Sequence, residues 1–442
     1  MPIITIVSPD VKSQLGLKRH KPWMAPGSFT EIGAMIPRNW KIETWDECVQ
    51  GPVPDELIIS SDLLALTFLT PSRYRAIDIA DFAKNHGIQV IAGGRDIIGW
   101  CREDNGISQI HNFFPSMCAT TLSPDLMAEI LSDADKKRLR PYYELPADHK
   151  IEMVLPRRDL IVPNRYYAGY TLRSSEGCNM SCPWCTVGGR GYHFKNPAVL
   201  TDELKTVRGS FFLDTADSFA GNPAFIREEV LPLYKASRKL WGTEIAVTDA
   251  LGLKNGSSLI EPMAKAGCRL LYFGLESVTR NLGTNKSSRA TAQEAIKECR
   301  RVGIVTVGAL IIDAFGDETV NEIEEMILWA QEWLDFAQFS LVAALPGCAL
   351  RRKALRENRI INQGHENWEY YDGAHPTIMH HLSPELRRLM WHKAYTEFSQ
   401  FGYVLKRGMR AQSLFCKIGV LLGGIRYAQE IPKYTQIDYT SL

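Results

Sequence analysis

At 442 residues, with 45% hydrophobic and 23% charged side chains, the chain has material for two or three packed domains. Its formal net charge of +1 gives no broad electrostatic drive towards nucleic acid or acidic membranes. No uninterrupted apolar run of about 18 residues occurs, so no membrane-spanning helix is expected, and the opening MPIITIVSPD lacks the regions of a secretory signal, which reads as a cytoplasmic protein.

In chain order, Ile3–Val7 reads as a strand, Phe29–Ile36 has helical spacing, and Lys41–Trp45 reads as a second strand. Glu56–Ser60 and Ala65–Thr70 cover a third strand region with an interruption. Pro71 to Asn85 is predicted helical, with Ala76, Ile77, Ile79, Ala80, Phe82 and Ala83 supplying its apolar face and Gly87 at its stop. Ile88–Ala92 is a short apolar strand ending in the pair Gly93-Gly94. This rhythm is that of a parallel α/β sheet, whose ligands sit at the carboxyl ends of the strands. A polar, basic stretch from Ser132 to His149 reads as a connector.

The second region begins at about Tyr167, where Ala168–Ser174 leads as a strand into a cysteine loop. Ser210–Leu213, Glu244–Thr248, Arg269–Phe273, Val305–Ile312 and Phe336–Val342 read as further strands with helices between them, Ile226–Ser237 (kinked at Pro232) and Thr291–Val302 among these. From Pro384 the chain reads as helical and then irregular. The predicted fold class is therefore α/β. A Rossmann-like parallel sheet spans 1–140 and a linker 141–166; a partial (β/α) barrel spans 167–383 and a helical extension 384–442.

Seven of the ten cysteines are scattered singly; Cys178, Cys182 and Cys185 cluster as CxxxCxxC directly after a strand. Thiolates suit zinc or iron–sulfur clusters, and three of them leave one iron of a [4Fe–4S] cluster without a protein ligand. An amino acid's amino and carboxylate groups can chelate that open iron. The competing readings are a zinc knuckle completed by His193 and three unligated buried cysteines. The 3-then-2 spacing, Trp184 before the last cysteine and the position after the first barrel strand favour the cluster.

The cysteine loop resembles the signature of the radical S-adenosylmethionine (SAM) superfamily. Phe211 to Phe219, Met263 to Cys268, Phe273-Gly274-Leu275-Glu276-Ser277, Gly308 to Ile312, Leu345-Pro346-Gly347 and Trp368 to Pro376 are similar to the subgroup with an N-terminal cobalamin-binding domain. The similarity covers about Val53 to Gln400. The resemblance implies that Cys178, Cys182 and Cys185 hold a [4Fe–4S] cluster and that Trp184 stands beside the adenine of SAM. It further implies that the reduced cluster cleaves SAM to a 5′-deoxyadenosyl radical, which abstracts hydrogen from an unreactive carbon. Many members carry Gly-Gly-Glu after the second strand; this chain has Asp214-Thr215-Ala216-Asp217. Asp214, Asp217, Thr248 and Glu276, all near predicted strand ends, are the candidate SAM contacts, with helix capping or buried structural pairing as the competing reading.

The first region resembles the cobalamin-binding domain through Thr70 to Asp81 and Ile88 to Asp96. Gly93 and Gly94 would admit a flat ligand close to the backbone, and Thr70 and Ser72 would bond its amides or nucleotide tail. The Asp-x-His-x-x-Gly motif that ligates cobalt from below in other cobalamin enzymes is absent. The aromatic and imidazole run Trp368 to His381 reads as a surface cover or pocket wall. The reading that follows is a cobalamin-dependent radical SAM methyltransferase acting on an unactivated carbon, served by an external reductant of flavodoxin or ferredoxin type. Its substrate is a small molecule or a peptide or protein side chain. A non-methylating cyclase or ring-contracting enzyme, and a zinc- or cluster-stabilised binding protein without turnover, are the alternatives.

Overall fold

The structure, a computed structural model, describes residues 1–10, 22–146, 153–188, 192–253, 256–280, 288–411 and 414–435. The first sheet holds β1 (Ile3–Ser8), β2 (Lys41–Asp46), β3 (Leu63–Thr67), β4 (Gln89–Gly93), β5 (Met117–Cys118) and β6 (Tyr142–Tyr143). Their order is β2-β1-β3-β4-β5-β6, every pair parallel. Such a sheet is covered on both faces, which is why its strands read as apolar runs rather than alternations. Ile4, Ile6, Leu63 and Ile91 pack beneath Phe29, Met127 and Ile130, while Leu64, Leu66, Val90 and Ala92 pack against Ala76, Ile79 and Ile97 on the other side. The order reverses between β1 and β3, and ligands of open α/β sheets bind at such a switch point.

Glu56–Ser60 is not a strand: Asp55–Ile59 is a helical turn. Pro54 opens it, and Asp55 and Glu56 place negative charge against its first free N–H groups, which outweighs the β-branched Ile58-Ile59. The basic connector is also more ordered than its composition suggests. It includes the end of the helix Pro124–Asp135, capped by Ser123, and the sixth strand of the sheet.

The chain then forms β7 (Thr171–Leu172), β8 (Ser175–Glu176), β9 (His193–Phe194), β10 (Phe211–Asp214), β11 (Leu240–Ile245), β12 (Cys268–Glu276), β13 (Val305–Ile312) and β14 (Phe336–Leu341). Six of these make a second parallel sheet, β14-β13-β12-β11-β10-β7, and β8 pairs antiparallel with β9 at the root of the cysteine loop. The fold is α/β, a Rossmann-like sheet followed by a partial barrel. Thr248 falls outside β11, on the helical turn Val247–Ala250. Pro232 has no N–H to continue the helix there, and the turn before it, Ile226–Val230, widens to π geometry and absorbs the missing bond. The expected helical extension is present as Pro384–Phe398, Phe401–Arg410 and Leu414–Thr435, and the part read as irregular after the first helix is helical as far as Thr435. Among the described residues, no helix is long and apolar enough to cross a membrane.

Two buried arginines join the sheets. Arg73 forks onto Asp96 through Nε and an Nη at 2.8 Å, and its guanidinium lies 3.8 Å and 3.7 Å from the ring centres of Trp100 and Trp368. Arg351 pairs with Glu103 at 2.6 Å and Glu366 at 2.8 Å. Beside them Gly99 packs so closely on Pro346 that a Cβ would stand 2.4 Å from its carbonyl oxygen. Trp368 to His381 is consequently a strap over these arginines more than a surface cover. Tyr371 is buried, His375 stacks on Tyr370 and bonds Asp372, and His380 bonds Asp313.

Candidate active site

A cleft of about 700 Å³ opens between the two sheets. One wall is the carboxyl edge of the first sheet: Ser8 and Pro9 at the end of β1, Thr67 to Leu69 at the end of β3, and Gly93-Gly94 at the end of β4. Deeper in, Ile4, Ile6, Leu63, Ala65, Ile91 and Met127 give it an apolar floor. The opposite wall is the start and end of the cysteine loop, Glu176, Gly177, Thr186 and Val187, with Thr215 and Asp217 beyond β10.

The loop is rooted by electrostatics from both sides. Arg173 pairs with Glu176 at 3.3 Å and with Glu31 of the helix Gly27–Met35, and Thr121 donates to Glu176 at 2.6 Å. The Gly177 N–H donates to Asp217 Oδ2 at 2.9 Å, while Asp217 Oδ1 accepts from Arg95 at 2.7 Å. Residues of both sheets thus hold the approach to Cys178. None of Glu31, Arg95, Arg173 or Glu176 was singled out in the sequence; the one local hint was Arg95 directly after the glycine pair.

The donor set fits a cluster. Cys182 is buried, Cys178 and Cys185 are half-buried, and the Met180 and Val187 N–H groups point at Cys178 Sγ (3.4 Å) and Cys185 Sγ (3.3 Å). Such N–H···S bonds stabilise thiolates and tune an iron–sulfur centre. Among the described residues, no three His, Cys, Asp or Glu side chains gather as a metal-holding group, the three loop cysteines included, so it is the thiolate chemistry, the spacing and these N–H···S bonds that suit the loop to a cluster. His193 lies in β9 and lines the cleft. Trp184 packs with Ile311, Val342 and Ala344 near the carboxyl ends of β13 and β14.

The four candidate SAM contacts separate. Asp214 is fully enclosed and accepts from Tyr234 (2.6 Å), the Ser174 N–H (3.2 Å) and the Ala216 N–H (3.1 Å). Burial pushes its carboxyl above the usual range. It braces β7 against β10 and does not line the cleft. Asp217 does. Thr248, Glu276 and Trp184, like Asp214, are not among the residues lining the cleft; Thr248 carries a buried hydroxyl with no hydrogen-bond partner, a polar atom a ligand would satisfy. Glu276 is buried at the carboxyl end of β12 with φ +62°, a left-handed backbone that is uncommon for a non-glycine residue.

On the other wall Gly93, Gly94 and Ser72 line the cleft. Gly94 has φ +95°, and a Cβ there would stand 3.0 Å from the backbone N and O of Phe68. Thr70 is not at the cleft: its hydroxyl donates to Asp96 at 2.6 Å inside the Arg73 clamp.

Residues 172–330 match the family model described as Radical SAM superfamily, so the chain carries a radical SAM domain, with a [4Fe–4S] cluster and SAM as that domain's cofactors. The relatives match a longer stretch, 79% and 78% of the chain. An uncharacterized methyltransferase of Pyrococcus horikoshii is 24% identical over 395 residues, 79% of this chain and 83% of that one. Bacteriochlorophyllide d C-8(2)-methyltransferase of Chlorobaculum tepidum is 23% identical, covering 78% and 79%. Among solved structures, the cobalamin-dependent SAM radical enzyme OxsB superposes over 98% of this chain and 72% of its own, with TM-score 0.68 and 14% identity. The radical SAM methyltransferase TsrM from Kitasatospora setae superposes over 98% and 100%, with TM-score 0.63 and 12% identity. These likenesses establish the two-sheet fold.

Proposed function

We propose that this protein is a cobalamin-dependent radical SAM methyltransferase that methylates an unactivated carbon of a small molecule or a peptide or protein side chain. The observation that carries the reading is the single cleft faced by both cradles, the glycine-pair edge of the first sheet and the cysteine loop of the second, bridged by Arg95–Asp217. Cys178, Cys182 and Cys185 would hold the cluster; Trp184, Thr248 and Glu276 would contact SAM, with Asp217 positioning the loop. Ser72, Gly93 and Gly94 would bound the cobalamin, whose tail suits the apolar floor under β1, β3 and β4. When bound, the cluster and SAM would supply hydrogen abstraction and cobalamin would carry the methyl group.

The chain's own residues bind and orient these groups and exclude water. Domain limits of 1–140, 141–166, 167–383 and 384–442 go with this reading, with the strand Tyr142–Tyr143 moved from the linker into the first domain, as do a cytoplasmic setting and a flavodoxin- or ferredoxin-type reductant. The names of the two methyltransferase relatives support it.

The test is anaerobic reconstitution followed by iron, sulfide and cobalt analysis and product mass. About four irons with stoichiometric cobalt and a product heavier by one methyl group bear the proposal out. Iron without cobalamin uptake, or an oxidised product lacking the methyl group, overturns it.

A further inference from the structure

The helices Phe401–Arg410 and Leu414–Thr435 form an antiparallel pair: a Cβ at Gly408 would meet Leu421, and one at Gly424 would meet Val404. Val404, Arg407, Val420 and Tyr427 face inward; the Tyr427 hydroxyl donates to the Ala337 carbonyl of β14, and Gly423 packs on Phe336. Phe401, Leu405 and Met409 recur every fourth residue on the first helix, and Ile418, Leu422 and Ile425 repeat at helical spacing on the second. All six are exposed, from 37% at Ile425 to 72% at Met409. In each helix they lie about a quarter-turn from the contact residues, and antiparallel pairing carries both stripes to the same side, opposite the core.

The charge around this face is one-sided. Residues 401–435 hold Lys406, Arg407, Arg410, Lys417, Arg426 and Lys433 against the single acidic Glu430, so the rest of a chain with net charge +1 is negative; Arg407 is buried and adds nothing to the outer face. Whole-chain charge hides this basic segment. Lys406 and Arg426 are exposed, and Arg426 lies 4.7 Å over the ring of Tyr167, which stands 5.6 Å from the ring of Trp23. Trp23 and Tyr167 are both exposed, and the adjoining Met24 lines the cleft.

We propose that this helical pair, flanked by Trp23 and Tyr167, docks the protein on an anionic lipid surface. A basic amphipathic face with interfacial Trp and Tyr is what such a surface binds, lying along it without spanning it. A second copy of the chain fits less well, because a two-fold contact would press two basic segments together. The inference does not depend on the methyl-transfer reading.

The test is flotation of the full-length, anaerobically purified chain with vesicles of phosphatidylcholine alone or mixed with phosphatidylglycerol. Each Lys or Arg near an anionic surface favours binding by about fivefold, so the chain floats with the mixed vesicles, and partitioning falls at least about tenfold in high salt. Leu405→Glu/Leu422→Glu, both at exposed positions, abolishes flotation with an unchanged melting curve. No flotation of the native chain, or equal flotation of the variant, overturns the proposal. A native dimer that this variant splits, with no vesicle binding by either, also overturns it and assigns the face to self-association.

Discussion

Asp217 accepts one hydrogen bond from Arg95, two residues past the β4 strand end, and a second from the backbone of Gly177, the residue before Cys178. One carboxylate thus sets the distance between the glycine-pair edge and the cysteine loop. The two bonds differ in weight. Arg95 is nearly half exposed, so its ion pair contributes less than about 1 kcal/mol, whereas the charge-assisted bond to the Gly177 N–H is worth about 1.5–3 kcal/mol. Asp217→Ala is therefore expected to lower activity roughly 10–100-fold and to reduce iron content. Arg95→Ala leaves iron content unchanged. Iron analysis of the two variants side by side checks the ranking, and a larger iron loss in Arg95→Ala contradicts it.

Gly94 supplies a separable test of the opposite wall. At φ +95° and ψ −177° it occupies a region reserved for glycine, with Phe68 backbone atoms 3.0 Å from where a Cβ would be. Gly94→Ala is expected to cost about 1–3 kcal/mol of stability and to abolish tight cobalamin uptake while leaving the cluster intact. Urea unfolding gives the first quantity and a spectral cobalamin titration the second. Uptake at native affinity would detach this loop from the cofactor.

What was legible in the sequence, and what was not, follows from how far apart the partners lie. Strands β1, β3 and β4 announce themselves as apolar runs, so the fold class could be read directly, and the cysteine spacing is local, so the loop stands out as a candidate site from the sequence alone. Asp214 and Asp217 look alike in the sequence, three residues apart at the end of β10. Only the fold shows that Tyr234 and the Ser174 N–H enclose the first and that Arg95, 122 positions away, meets the second. Thr70 is another such case, since Asp96 captures its hydroxyl from another helix, away from the cleft. Glu56–Ser60 failed on local grounds, because Pro54 and two acidic residues outvoted β-propensity.

The Arg73 clamp carries a stability prediction. The guanidinium and Asp96 are both buried, so removing one partner strands the other's charge, at about 3–5 kcal/mol. Arg73→Leu is expected to lose that much in urea unfolding. Arg73→Lys recovers little, because an ammonium can neither fork onto Asp96 nor stack flat between Trp100 and Trp368. Full rescue by lysine would show that charge alone matters there.

Glu318 sets a pH dependence. Burial, followed by the nearby Asp313 charge, lifts its carboxyl from 4.5 to about 7. A raised folded-state value means that the folded protein holds this proton more tightly than the unfolded chain. The contribution is complete below about 4.5 and is lost as pH rises through about 7. Glu318→Gln keeps an oxygen for the Ala314 N–H, 2.9 Å away, and removes the titration. The variant is expected to match the native protein at pH 4.5 and to exceed it by about 2–3 kcal/mol at pH 8. Parallel stability curves for the two proteins across that window would refute the assignment.

Thr248 separates a binding role from a structural one. Its buried hydroxyl has no hydrogen-bond partner, so within the protein it contributes only desolvation cost. Valine has nearly the same shape and lacks that hydroxyl. Were the residue merely structural, Thr248→Val would hold or raise stability and change nothing else. As a SAM contact, the hydroxyl loses its bond to the ligand in the variant, and SAM affinity is expected to fall by about 1 kcal/mol, roughly fivefold, with the melting temperature unchanged or higher. Equilibrium SAM binding to the reconstituted protein reads the difference. Unchanged affinity would return Thr248 to the scaffold and leave Glu276, with its left-handed backbone at the end of β12, as the remaining polar anchor on that side.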